Sequence, residues 1–134
     1  MKPEEVKSLF EGFDPEEYAD EAKQKWGETD AYKESARRTK QYGKADWEAI
    51  RREGDAIYGR IVELMRDGAK PDDARVGEAA LAHREHISKW FYPCSREIHR
   101  GLAEMYVADP RFTANLDRLA PGFARFLHDA ILAT

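Results

Sequence analysis

WEAIRREGDAIYGRIVELMRDG, residues 47–68, reads as one long amphipathic helix. Trp47, Ile50, Gly54, Ile57, Ile61, Leu64 and Met65 recur in it at spacings of three and four. A helix completes a turn in 3.6 residues, so these side chains fall on one face, and that face needs a partner. Gly68 marks the stop.

The segments on either side follow the same logic. In FDPEEYADEAKQKWG (13–27), Asp14 is a natural N-cap, Pro15 suits the first helical position and Gly27 follows the end. TDAYKESARRTKQYG (29–43) repeats this with Thr29 and Gly43. Beyond Gly68, PDDARVGEAALAHREHISKWFYP (71–93) carries Val76, Ala80, His83, Ile87 and Trp90 on one face and ends before Pro93. A further helix from about Ser95 bears Ile98, Leu102, Met105 and Tyr106 and runs to Asp109-Pro110. Two short helices follow, one with Phe112, Leu116 and Leu119, the other with Phe123, Phe126, Leu127, Ala130 and Ile131. Nothing alternates with the period of two that a half-buried strand requires. The expectation is an all-α bundle of about seven helices.

At 134 residues, one domain with one core is expected. Charged residues make up 36% of the chain and hydrophobic ones 42%, a globular balance. No apolar run is long enough to span a bilayer and the first residues, MKPEEVKSLF, contain no signal-peptide core, so a cytoplasmic location and no membrane partner are expected. The single cysteine agrees with a reducing compartment. A net charge of -4, with both signs interleaved, argues against direct nucleic-acid contact by this segment.

The chain is compositionally stepped. Residues 1–46 hold only Met1, Val6 and Leu9 as large aliphatic side chains, against eighteen Ile, Leu, Val and Met in residues 47–134. The first third therefore cannot form a core, yet it carries Phe10, Phe13, Tyr18, Trp26, Tyr32 and Tyr42. Rings bury much area when something apolar lies beneath them, while ordering the backbone costs about 1–2 kcal/mol per residue. Two readings stay open: residues 14–46 form a mobile helical lid over a core bundle at 47–134, or they pack on the long helix as ordinary amphipathic helices.

HISKWFYPCSREIHRG, residues 86–101, is the densest chemistry in the chain. Cys94 follows a proline at a helix start, where the helix dipole favours a thiolate, but His99 is about one and a half turns away and no third catalytic partner is evident. His83, His86, Cys94 and His99 are candidate metal ligands, without the paired spacings of a structural zinc site or a His-Glu-x-x-His motif. His83, Trp90, His99 and Tyr106 could instead line a pocket between two antiparallel helices, apolar and aromatic with a few polar groups. A packed core containing satisfied imidazoles is the structural alternative.

WGETDAYKESARRTKQYGKADW (26–47), HREHISKWF (83–91) and HRGLAEMYVADPRFTANLDRLAPGFARFLHDAI (99–131) resemble the TipAS family, the drug-recognition domain of certain MerR-type transcription activators, also found free-standing. The resemblance covers nearly the whole chain. It implies a globin-like bundle with a deep cleft and an N-terminal lid ordered by ligand. It also implies binding of large, mostly apolar peptide antibiotics of the thiopeptide class, without turnover and without a cofactor or metal. No basic recognition helix and no sustained heptad run is present, so the segment is expected to be either the effector part of a dimeric DNA-binding regulator or a free sequestering form.

The expected ligand-binding residues are Trp26, Tyr32 and Trp47 from the lid and its hinge, with His83, Ile87, Trp90, Phe91, Cys94, His99, Gly101, Leu102 and Tyr106 from the bundle. Thiopeptide-trapping relatives carry a cysteine that adds to a dehydroalanine of the drug. The resemblance aligns that cysteine with Gly101, and Cys94 with a different one. The rival class is a cysteine-dependent enzyme or covalent trap using Cys94.

Overall fold

A computed structural model describes residues 29–134. They form six helices: α1 (Asp30–Thr39), α2 (Lys44–Arg66), α3 (Ala74–Trp90), α4 (Arg96–Ala108), α5 (Pro110–Asp117) and α6 (Phe123–Leu132). No strand occurs among the described residues. The fold is all-α, and these six helices match the last six read from the sequence. The helix expected at 14–27 lies outside the described residues.

Local chemistry sets the helix ends. The Thr29 hydroxyl accepts from the Tyr32 N–H at 3.2 Å, Asp73 from Arg75 N–H at 2.9 Å, and Ser95 from Ile98 N–H at 3.1 Å. Each satisfies a donor that the first turn leaves unpaired. The Gly43 N–H donates to the Asp46 carboxylate at 3.0 Å, so α2 begins three residues before Trp47. The boundary expected between residues 46 and 47 therefore falls inside the first turn of a continuous helix. At its other end Gly68 adopts φ 87°, the Ala69 N–H reaches Leu64 C=O at 3.0 Å and the Gly68 N–H reaches Met65 C=O at 3.1 Å. This is the Schellman closure that glycine permits at low cost.

The core lies where α4 packs along α6 and α2 along α3. Ile61, Ala103, Phe123, Ala124, Leu127 and Ile131 are all completely buried in it. The carboxylate of Asp117, at the end of α5, accepts from the Ala124 N–H at 2.8 Å and ties α5 to the first turn of α6. Burial of side chains such as Leu127 contributes about 1.5–3 kcal/mol each, and this seam holds the bundle together.

Two faces differ from the expected stripes. On α4 the buried seam is His99, Ala103 and Tyr106, while Ile98 is exposed and Leu102 and Met105 flank the core. Apolar residues occupy two adjacent faces of this helix, and the pairing of His99 with α3 selects one of them. Leu119, expected in the α5 stripe, lies past the helix end and is exposed.

Candidate ligand-binding site

The α2, α3 and α4 helices converge on a line of polar rings. The Tyr58 hydroxyl of α2 lies 3.2 Å from Nε2 of His83 on α3. Nδ1 of His83 lies 2.8 Å from Nε2 of His99 on α4. The two imidazole centroids are 5.1 Å apart, and the Tyr106 ring stands 6.3 Å from His83. His83, His99 and Tyr106 are thus brought together as expected, all three buried. Burial, followed by the repulsion a charge on His99 or His86 would exert, holds His83 down at about 3; burial and the nearby Arg84 hold His99 at about 4. Both rings are neutral at pH 7, each with one donor and one acceptor nitrogen.

His99 also borders a cavity of about 450 Å³ between the outward face of α3, the first turns of α4 and the end of α6. Leu81, Arg84 and Arg96 line it near His99, and Asp72 and Asp73 line it where α3 begins. Its volume falls within the range of small-molecule sites, and a wall of helix faces with a few polar groups is the usual composition.

Trp90 does not join this group, contrary to the four-residue wall expected from sequence. Its indole N–H donates to Glu53 at 3.0 Å, and its ring meets the edge of Tyr42 at 5.6 Å with the Lys89 ammonium 4.9 Å from its centroid. That hydrogen bond, together with Lys89, holds the Glu53 carboxyl below its usual value. Trp47 sits 5.8 Å from Tyr42 and 6.3 Å from Phe91, so Tyr42, Trp47, Trp90 and Phe91 form a second cluster joining α1, α2 and α3. Trp90 lies seven residues beyond His83, about two turns or roughly 10 Å along α3, where that face meets Glu53 of α2 and Tyr42 rather than α4. Tyr32 is half-buried on α1 and is not among the residues lining the cavity; Trp26 lies outside the described residues.

Cys94 is not the activated thiol its position suggested. Ser95, one residue on, occupies the cap of α4, and the Cys94 side chain is buried, which pushes its thiol up to about 11. Its backbone N–H donates to the Ser88 hydroxyl at 3.0 Å. The geometry disfavours a cysteine-dependent mechanism. His86 turns to α2, with Nε2 3.1 Å from the Ile50 carbonyl, and among the described residues no three His, Cys, Asp or Glu side chains converge as a metal site. Ile87 is buried and Leu102 partly buried in the packing, while Gly101 is exposed on α4 and a Cβ there would meet nothing within 4 Å.

Sequence reasoning missed Tyr58, Arg84 and Arg96. Tyr58 was legible in principle, because it lies four residues after Gly54 and three before Ile61 on the inward stripe of α2. The arginines had no such signal, since a cation on a helix face ordinarily faces water.

The fold and this open groove define the class: an all-helical domain with a cavity between α3, α4 and the end of α6. The TipAS antibiotic-recognition domain model matches residues 18–134, and the chain belongs to that family. It is 44% identical over 133 residues to the HTH-type transcriptional activator TipA of Streptomyces coelicolor, covering 99% of this chain and 53% of the relative. It is 42% identical over 115 residues to the HTH-type transcriptional activator mta of Bacillus subtilis, covering 86% and 44%. The chain thus spans about half the length of the curated relatives it matches. Among solved structures it superposes on TipAS of the thiopeptide antibiotic multidrug resistance system of Streptomyces lividans, in complex with nosiheptide. The TM-score is 0.92 at 44% identity, with 99% of this chain and 93% of that chain covered. The antibiotic-binding domain of a TipA-class multidrug resistance regulator gives a TM-score of 0.59 at 44% identity, over 63% and 89%.

Proposed function

We propose that this domain binds large, mostly apolar peptide antibiotics of the thiopeptide class in the cavity between α3, α4 and the end of α6, without chemical turnover. The observation that carries the reading is the close likeness to a nosiheptide-bound fold, combined with a ligand-sized cavity floored by a neutral imidazole. In this reading His99 is the polar ring at the cavity, and His83 and Tyr106, which do not line it, pack close by in the core: His83 against His99, and Tyr106 beside His83. The Tyr42, Trp47, Trp90 and Phe91 cluster, none of which lines the cavity, is where the N-terminal segment that carries Tyr32 is attached to the bundle, and ligand binding is expected to order that segment. No residue of α1 is buried, which suits an element that docks more firmly when a ligand adds apolar surface. As part of a longer MerR-type activator the closed state would alter what the regulator does at its promoter; as a free domain it would lower free drug.

Titration with nosiheptide tests the proposal. Binding only to the native state raises the melting temperature, by about 2.7 kcal/mol of added stability at a hundredfold excess over Kd. No shift at saturating drug would remove it. Mass spectrometry separates the modes of capture. The wild type is expected to release intact drug, because the Cys94 thiol is buried and Gly101 has no nucleophile. Gly101→Cys, at an open and exposed site, is expected to gain a stable adduct.

A further inference from the structure

The Tyr58, His83 and His99 side chains form a hydrogen-bonded line with a definite direction. A neutral imidazole donates from one nitrogen and accepts at the other, so the pair can run either way: His83 Nδ1–H to His99 Nε2, or the reverse. The end of the line sets the order. Tyr58 is partly exposed as a residue, but its hydroxyl end is crowded enough that desolvation pushes the phenol up to about 12. The hydroxyl is therefore protonated, and His83 Nε2 is its one acceptor among the described residues. A hydroxyl hydrogen in that setting goes to the available lone pair, because leaving it unpaired costs about 1–3 kcal/mol.

The consequence passes along the line. With Nε2 accepting from Tyr58, His83 carries its proton on Nδ1 and donates to His99 Nε2. His99 must then carry its own proton on Nδ1. That nitrogen has no partner among the described residues, where no fully buried side-chain nitrogen or oxygen is left unpaired, so it is the part of His99 that reaches the cavity. Arg84 and Arg96 beside it are also without hydrogen-bond or ion-pair partners among the described residues, and a guanidinium can only donate. The two side-chain carboxylates that line the cavity, Asp72 and Asp73, belong to the start of α3: Asp73, committed to Arg75 at 3.0 Å, precedes Arg84 by eleven residues, about 16 Å along α3.

We propose that Tyr58 is a positioning residue for the cavity: it fixes the proton order of the His83–His99 pair so that this end, formed by His99, Arg84 and Arg96, offers donors only and selects a ligand oxygen acceptor, carbonyl or carboxylate. The recognition half rests on the cavity being the ligand site; the proton order does not.

Long-range ¹H–¹⁵N correlation on the histidine-labelled protein at pH 7 tests the order directly. Both His83 and His99 are expected as the Nδ1–H tautomer in the free wild type, and an Nε2–H tautomer at either overturns the chain. In Tyr58→Phe, checked for retained helicity, His99 is expected to lose its single-tautomer signature; an unchanged tautomer at both rings overturns the role of Tyr58. Acetate and N-methylacetamide, titrated at constant ionic strength, serve as carboxylate and carbonyl probes. Either is expected to move the His99 Nδ1 and Arg84 side-chain resonances, with about tenfold weaker response in Tyr58→Phe, the order of one hydrogen bond. A response to acetate alone assigns a carboxylate, and a response to both assigns a carbonyl oxygen in general. Correct tautomers with neither probe moving His99 overturn the recognition half, and leave antibiotic binding to the nosiheptide titration.

Discussion

Two ten-residue helices, α1 and α6, are held in opposite ways. Six residues of α6 are buried: Phe123, Ala124, Leu127, His128, Ala130 and Ile131. None of α1 is buried. Polar contacts near its C-terminal end hold α1 to α3: the Arg38 guanidinium donates to the Ser88 carbonyl at 2.8 Å, and just beyond it the Tyr42 hydroxyl donates to the Trp90 carbonyl. The Glu34 pairs with Arg37 and Arg38, at 2.8 and 2.7 Å, lie within α1 and are surface pairs of small worth. The difference teaches that apolar anchoring and polar attachment occupy separate parts of the domain, the division that the proposed sensing role requires. A helix locked by apolar burial fixes the place of Ala133 and Thr134, which border the cavity just past its end, and a helix held by a few polar contacts can open at low cost.

The largest expected effect strikes the locked helix. Leu127→Ala should cost about 2–5 kcal/mol of global stability, read as a lower urea midpoint with an unchanged m value. A loss under 1 kcal/mol would mean that α6 is not the anchor.

The pH response comes next. His83 and His99 have folded-state values near 3 and 4, below the ordinary 6.5, so unfolding takes up protons below neutrality. Stability should be full above about pH 6.5 and fall progressively as pH drops toward about 4. Denaturant titrations between pH 7 and 5 check the sign, and a His83→Gln, His99→Gln double variant should show a flatter profile across that interval. Stability that rises on acidification would contradict the neutral pair.

Smaller effects belong to α1. Tyr42→Phe removes one hydrogen bond to the Trp90 carbonyl and should cost about 1 kcal/mol, visible as faster amide exchange in α1 with little change in the urea midpoint. Thr29→Ala removes the cap and should cost about 0.5–1 kcal/mol, again confined to α1. Should either lower the global midpoint as much as Leu127→Ala, the two helices are one cooperative unit and the contrast fails.

Much of this contrast is written in the composition. Eighteen large aliphatic residues after position 46 and three before it already separate the core from its attachment, and Gly68, Ser95 and Asp109 mark helix ends that the backbone obeys. The site was legible only in part. His83, His99 and Tyr106 meet because spacings of four and three place each on an inward face. Trp90 was misplaced because periodicity fixes a face but not which neighbour that face meets, and here Glu53 and Tyr42 claimed the indole. The state of Cys94 was unreadable for a related reason: the cap that would activate it belongs to Ser95, a shift of one residue. Tyr58 was within reach of the α2 periodicity, whereas the two arginines at the cavity depend on the relative placement of three helices, which no local pattern encodes.

Amide hydrogen exchange of α1 and α6, without and with nosiheptide, tests most directly whether holding and sensing are divided between them. The account predicts that α6 amides exchange only through global unfolding in the free domain, that α1 amides exchange far faster, and that the drug raises protection most in α1. Equal protection of the two helices in the free domain, unchanged by drug, would contradict it.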